Sequence, residues 1–258
     1  MSRREHDIKY SFIMPYHKRF RQLQSTFETF LHFYEYREGF EVILIEDYKS
    51  AQDAAEHANL LHVVELYGAF FPIKIVPGPG FTNIHNPAPL YNIGVKESVG
   101  EFLIITNPEC AHSVDILTGF DAELDKNPNA YVVCACLSSP VSMITPLDLP
   151  FVDGQWFQHS LHRNVLCHFC SVLSRKNYDT IEGFDENYGR GICFEDDDFR
   201  NKILQANIPI IVRDDLMVVH LMHSKSKPTQ YAELHGINKS YYQSKWGSGS
   251  ITAEQIKL

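Results

Sequence analysis

Short, nearly continuous apolar runs rich in Ile and Val, most of them separated by stretches of helical periodicity, constrain the fold of this chain more than any other feature. The runs are IKYSFIMP (8–15), EVILIED (41–47), IKIVPG (73–78), EFLIIT (101–106) and YVVCACL (131–137). An unbroken apolar run of strand length is what a strand covered on both faces requires. Between the first two, Phe20, Leu23, Phe27, Leu31 and Tyr34 recur at steps of three and four. Residues 52–66 and 113–126 read as further amphipathic helices. This β/α alternation predicts an α/β fold: a mostly parallel central sheet flanked by helices. In such sheets ligands gather beyond the carboxyl ends of the strands, so the polar residues there are the first candidates for function.

At 258 residues and 44% hydrophobic, the chain has enough apolar material for a full core. Its apolar runs are too short to span a bilayer, and MSRREHDIKY is followed by no apolar signal segment. A cytoplasmic protein without a membrane span is therefore expected. Six cysteines, without the dense spacing of a secreted scaffold, fit reduced thiols, and a net charge of -9 argues against a broad nucleic-acid surface.

Four strand-end or helix-start segments carry chemistry. The first run ends in MPYHKR, with Pro15, Tyr16 and Arg19. The second ends in IEDYKS, with Glu46 and Asp47, and the fourth in NPE, with Asn107 and Glu109. In GFDENYGRGICFEDDDF, Glu195, Asp196, Asp197 and Asp198 open an amphipathic helix. Singly, each acid reads as a solvated loop residue or a helix cap. Together they describe a cleft lined with carboxylates.

The order SFIMPYHKR, VILIEDYKS, PLYNIGVKESVGEFLIITNPE, GFDENYGRGICFEDDDFRNKI resembles the family 2 glycosyltransferases of the GT-A fold, over roughly residues 8–220. The resemblance implies inverting transfer of a sugar from a nucleotide-sugar donor to a hydroxyl or amine acceptor. It implies a GT-A domain over 1–223, with a donor half to about 110 and an acceptor half beyond, followed by a helical tail over 224–258. On the donor side it assigns Glu46 and Asp47 to base and ribose, Pro15 and Tyr16 to the floor beside the base, and Asn92 to the Asn-x-Gly helix near the donor. Tyr91 stands where the family often has Arg. Arg19 reads equally as a surface charge or as a diphosphate contact. Asn107-Pro108-Glu109 takes the place of the family's D-x-D, with Asn107 toward the ribose and Glu109 as ligand of Mn²⁺ or Mg²⁺. A single carboxylate there implies weaker metal binding and leaves a metal-independent variant open. His220 or His223, in VVHLMHSK, matches the family's late metal histidine, and the alternative is a polar strand end.

For the acceptor, the resemblance makes Asp196 the general base, places Glu195 and Asp198 on the acceptor side, and puts Asp197 at a variable position. An ion pair of Asp196 with Arg200, four residues on, is the competing reading. The acceptor class stays open between glycan, lipid-linked sugar, protein and nucleobase, because loops such as 140–164 set it. Cys134, Cys136, Cys167 and Cys170 have the spacing of a four-thiolate zinc site, although their apolar surroundings favour buried thiols. A nicotinamide enzyme is disfavoured because MPYHKR lacks the glycine-rich turn. A noncatalytic nucleotide-sugar-binding protein of the same fold is the main alternative.

Overall fold

The computed structural model describes residues 8–80, 85–223 and 230–248. The elements are β1 (Tyr10–Tyr16), α1 (Phe20–Tyr34), β2 (Phe40–Glu46), the short α2 (Tyr48–Ala51), α3 (Ala54–Tyr67), β3 (Ile73–Pro77), α4 (Ala88–Lys96), β4 (Phe102–Thr106), β5 (Cys110–His112), α5 (Ile116–Leu124), β6 (Tyr131–Ser138), β7 (Gln155–Gln158), β8 (Cys170–Ser174), α6 (Arg175–Thr180), α7 (Glu195–Gln205), β9 (Ile210–His220) and α8 (Tyr231–Trp246). Short 3₁₀ turns cover Leu149–Phe151 and Glu186–Arg190.

The five predicted strands are present. They lie in one sheet of order β3-β2-β1-β4-β8-β6-β9-β5, with β7 added to β6. β3, β2, β1 and β4 are parallel, and β8 then runs antiparallel to both β4 and β6. From β1 the chain first builds outward to β2 and β3, then returns to the other side of β1 for β4. This is a topological switch point, the position at which open α/β sheets bind ligands.

Both faces of the parallel strands are covered, which is why their sequences are continuous rather than alternating. Phe12, Leu44 and Ile104 enter one core with Leu23, Phe27 and Tyr34 of α1. Their neighbours Ile13, Ile45 and Ile105 enter a second core with Leu90, Tyr91, Phe199 and Tyr242. The predicted helix over 52–66 is α3, started by Asp53, whose side chain accepts from Glu56 N. The one over 113–126 is α5, capped by Asp115. Gly94 allows α4 to lie directly on the sheet, since a Cβ there would sit 2.5 Å from Ile45 Cδ1 and 2.6 Å from Ile13 Cγ2.

The four cysteines of the zinc alternative are buried, as their apolar surroundings favoured, and form no metal-ligating group among the described residues. All six thiols are free, and Cys134, Cys136 and Cys170 lie inside the first core together with Cys110. Cys167 lies apart from them, donating to Val165 O.

α8 is tied to the body by Asn238, which donates to Tyr188 O and Cys193 O, and by Trp246 and Lys245, which both reach Asp198. Among the described residues no helix is long and apolar enough to cross a membrane.

Candidate active site

The carboxyl ends of β1, β2 and β4 converge with the starts of α4, α7 and α8 around a cavity of about 750 Å³. Pro15, Tyr16, His17 and Arg19 come from the end of β1, and Asp47 and Lys49 from the end of β2. Asn107, Pro108 and Glu109 follow β4. His85, Asn86, Pro87, Leu90, Ile192, Cys193 and Tyr231 complete the wall. Of the sequence-predicted donor residues, Pro15, Tyr16, Arg19, Asp47 and Asn107 line this cavity.

Two of them are placed elsewhere. Glu46 points into the buried side of β2, where His57 Nδ1 sits 2.9 and 3.0 Å from its carboxylate oxygens. Successive strand residues face opposite sides, so the chain presents Asp47 to the cavity and withdraws Glu46. Asn92 is consumed as a clip: its Oδ1 accepts from Tyr178 OH and Phe184 N, and its Nδ2 donates to Phe184 O and Glu186. It fixes α4 to the 178–186 segment and does not line the cavity.

The cavity's polar groups are held in place. Asp47 accepts from Ser50 N at 2.8 Å, capping α2, and lies 2.6 Å from His17 Nδ1. Burial alone would raise its pKa, but His17 and Ser50 outweigh that and keep it below the ordinary aspartate value. Asn107 accepts from Tyr91 OH at 2.8 Å. Tyr91 is itself stacked on Phe184 at 4.6 Å.

Glu109 sits where two histidines meet it. Its Oε1 lies 3.4 Å from His223 Nε2 and 3.7 Å from His220 Nε2. Burial pushes the Glu109 carboxyl up, while His223, His220 and Arg19 together hold it below its usual range. The ligand atoms of the three residues all fall within 4.8 Å of one another, the one such His/Cys/Asp/Glu group among the described residues. Donor atoms in neighbouring positions around a cation with bonds of about 2.1 Å lie roughly 3 Å apart, so a small closure would seat one. The trio also divides two cavities. Glu109 lines the first, whereas His220 and His223 line a second, of about 500 Å³, beyond β6 and β7.

The acidic start of α7 is more differentiated than its charge suggests. It is entered through two consecutive left-handed residues, Cys193 at φ 63° and Phe194 at φ 70°. Such a conformation is costly for residues other than glycine and persists where the surroundings hold it. Here Asn86 and Asn238 both donate to Cys193 O. Asn86 also donates to Glu195 Oε2 at 2.6 Å. Burial first, and the Asp196 charge second, push the Glu195 carboxyl up to about 8. Asp196 accepts a hydrogen bond from Asp197 N, is partly exposed and is not among the residues that line the cavity. The ion pair with Arg200 is made by Asp197, at 3.1 Å. Asp198, expected on the acceptor side, is instead 1% exposed and accepts from Trp246 Nε1 at 2.7 Å and Lys245 Nζ at 2.8 Å. It anchors α8 and faces no cavity.

Sequence reasoning missed Lys49, His85 and Asn86. Lys49 was within reach, three residues past Glu46 in IEDYKS. Asn86 carried no local signal, because its partner Glu195 is 109 positions away.

No family model and no curated protein matches the chain. Solved structures do. S. aureus TarS 1–349 is similar at 14% identity and a TM-score of 0.60, over 96% of this chain and 77% of that one. The same protein in complex with UDP-GlcNAc gives 12% and 0.63, over 96% and 69%. The mannosyltransferase PcManGT from Pyrobaculum calidifontis, in complex with GDP-Man and Mn²⁺, gives 12% and 0.60, over 96% and 69%. The fold is that of the GT-A glycosyltransferases.

Proposed function

We propose that this protein is a nucleotide-sugar-dependent glycosyltransferase, working by inversion with a divalent cation. The observation that carries the reading is the placement of Glu109, His220 and His223 beside Asn107 and Asp47 at the carboxyl ends of the strands of a GT-A sheet. Asp47 and the Pro15–Tyr16 floor take the nucleoside, and Asn107 the ribose. Arg19 and Lys49 bring positive charge to a cavity in a protein of net charge -9, which suits a diphosphate. In this reading residues up to about 110 form the donor half and the remainder to 223 the acceptor half.

A donor set of one carboxylate and two imidazoles fits Mn²⁺ better than Mg²⁺, which favours oxygen ligands and retained water. When bound, the cation would neutralise charge growing on the leaving diphosphate. The acceptor oxygen attacks the anomeric carbon from the face opposite the diphosphate. The bond from that carbon to the phosphate oxygen breaks, and its electron pair leaves with the nucleoside diphosphate. Asp196 takes the acceptor's proton. Burial and the neighbouring Asp196 push the Glu195 carboxyl up to about 8, so near neutral pH Glu195 keeps its proton, and it is Asp196 that this reading makes the base.

Thermal shift with UDP, GDP and their sugars, each with and without Mn²⁺, tests the reading. A nucleotide that binds the folded state must raise Tm. The reading predicts a rise that Mn²⁺ enlarges, followed by slow release of free nucleotide from the matching donor. No shift with any nucleotide would overturn the transferase reading, and binding without release would leave a noncatalytic binder.

A further inference from the structure

The second cavity has the chemistry of a saccharide site. Ser139, Asp153 and Gln155 offer hydroxyl, carboxylate and carboxamide groups, beside the ring of Phe157. An aromatic face with a few polar groups of this kind suits a sugar, whose C–H face packs on the ring while its hydroxyls bond the polar groups. His220 and His223 form the wall that the cavity shares with Glu109.

Its rim is unusual. Residues 141–152 join the Ser139–Pro140 side of the cavity to the Asp153–Gln155 side. The inner side chains of this segment, Ile144, Leu149 and Val152, pack on Ala111, Val219 and Leu221. Backbone bonds hold it too: Ile144 N donates to Ser25 Oγ at 3.0 Å and Met222 N to Val141 O at 2.8 Å. Those contacts account for how the segment folds. Its exposed side chains nevertheless include Leu147 at 84% and Phe151 at 85%, with Met143 about half exposed, as is Met222 of the cavity wall. Phe151 stands two residues before Asp153 of the cavity wall and Met222 lines the cavity itself, so exposed apolar side chains adjoin a polar cavity, and such a surface meets another apolar body. Residues 141–152 include no Lys or Arg, and Asp148 lies among them, so an anionic surface is not what the rim attracts.

We propose that the cavity and its rim bind one amphiphilic saccharide, a sugar head on a hydrocarbon chain, with the head against Phe157 and Gln155 and the chain along Leu147 and Phe151. Its role as the acceptor rests on the transferase reading above; the binding itself does not. The probe is a homologous series of methyl, butyl, hexyl and octyl β-glucosides, titrated calorimetrically below their micelle concentrations. Affinity should rise about two- to fourfold for each added methylene that the rim covers. Leu147→Asp combined with Phe151→Asp, at positions too exposed to disturb the core, should flatten that series and leave the nucleotide-induced Tm shift unchanged. Gln155→Ala should weaken every member by a similar factor and keep the slope. A flat series in the unaltered protein, or a slope that survives the double variant, would overturn the proposal. So would a dimer seen by sedimentation velocity that the double variant splits while the series stays flat, because the rim would then meet a second copy. A chain-length slope in a protein that shows no nucleotide shift keeps this site and overturns the transferase reading instead.

Discussion

Glu195→Gln is the substitution whose consequence can be worked most fully from the structure. The Glu195 carboxyl is pushed from an ordinary 4.5 to about 8, by burial and then by Asp196. Between those values the folded protein holds a proton that the unfolded chain has released. Stability therefore falls as pH rises through this window, and the loss is complete above the folded value. From pH 6 to well above pH 8 the change totals that of two pH units at about 1.36 kcal/mol each, or roughly 2.7 kcal/mol, and then levels off. Gln stays neutral at every pH and keeps an oxygen for Asn86 Nδ2, now 2.6 Å from Glu195 Oε2. Its stability should lack this slope, so its advantage over the parent should grow by roughly 2–3 kcal/mol between pH 6 and pH 9. Urea unfolding at both values, followed by tryptophan fluorescence, measures the difference, and other groups titrate alike in both proteins and cancel. Parallel pH curves for the two proteins would refute the claim that Glu195 is held protonated.

Asp196→Asn should cut transfer by about 10²–10⁴ while nucleotide binding survives; activity within tenfold of the parent would remove Asp196 from the chemistry. Asp198→Asn should cost roughly 3–5 kcal/mol, because it breaks a buried charge held by Lys245 and Trp246. The loss is read in urea unfolding together with a changed Trp246 emission, and an unchanged Cm would show that α8 docks without it. Glu109→Ala should abolish the Mn²⁺-dependent part of the nucleotide Tm shift, and a retained Mn²⁺ response would place the cation elsewhere.

What the sequence made legible was local. Runs such as EVILIED announce a strand covered on both sides because each residue must be apolar whichever face it takes, and Phe12 and Ile13 do enter different cores. The helices read over 52–66 and 113–126 are likewise local, and in the structure each is started by an Asp that accepts from a backbone N three positions on. Asn92 and Asp198 were read from the same kind of signal, with a different outcome. A motif places a residue on an element, but its side chain serves whichever segment packs there. For Asn92 that segment is 178–186, and for Asp198 it is α8, 48 positions along the chain.

The metal trio shows the same limit from the other side. Glu109 and His220 could each be singled out as strand-end residues, yet nothing local joins positions more than a hundred residues apart. The join is made by β5, a strand of three residues, too short to give a periodic signal. Its antiparallel register sets Cys110 opposite His220, and Leu221 N then donates to Glu109 O at 2.9 Å. That one backbone bond fixes Glu109 against the end of β9, so its carboxylate meets His220 at the strand terminus and His223 three residues further on. A slip of one residue in this short ladder would turn Glu109 to the other face of β5 and part it from both histidines. The candidate metal centre therefore depends on the register of β5 as much as on the identity of its three ligands.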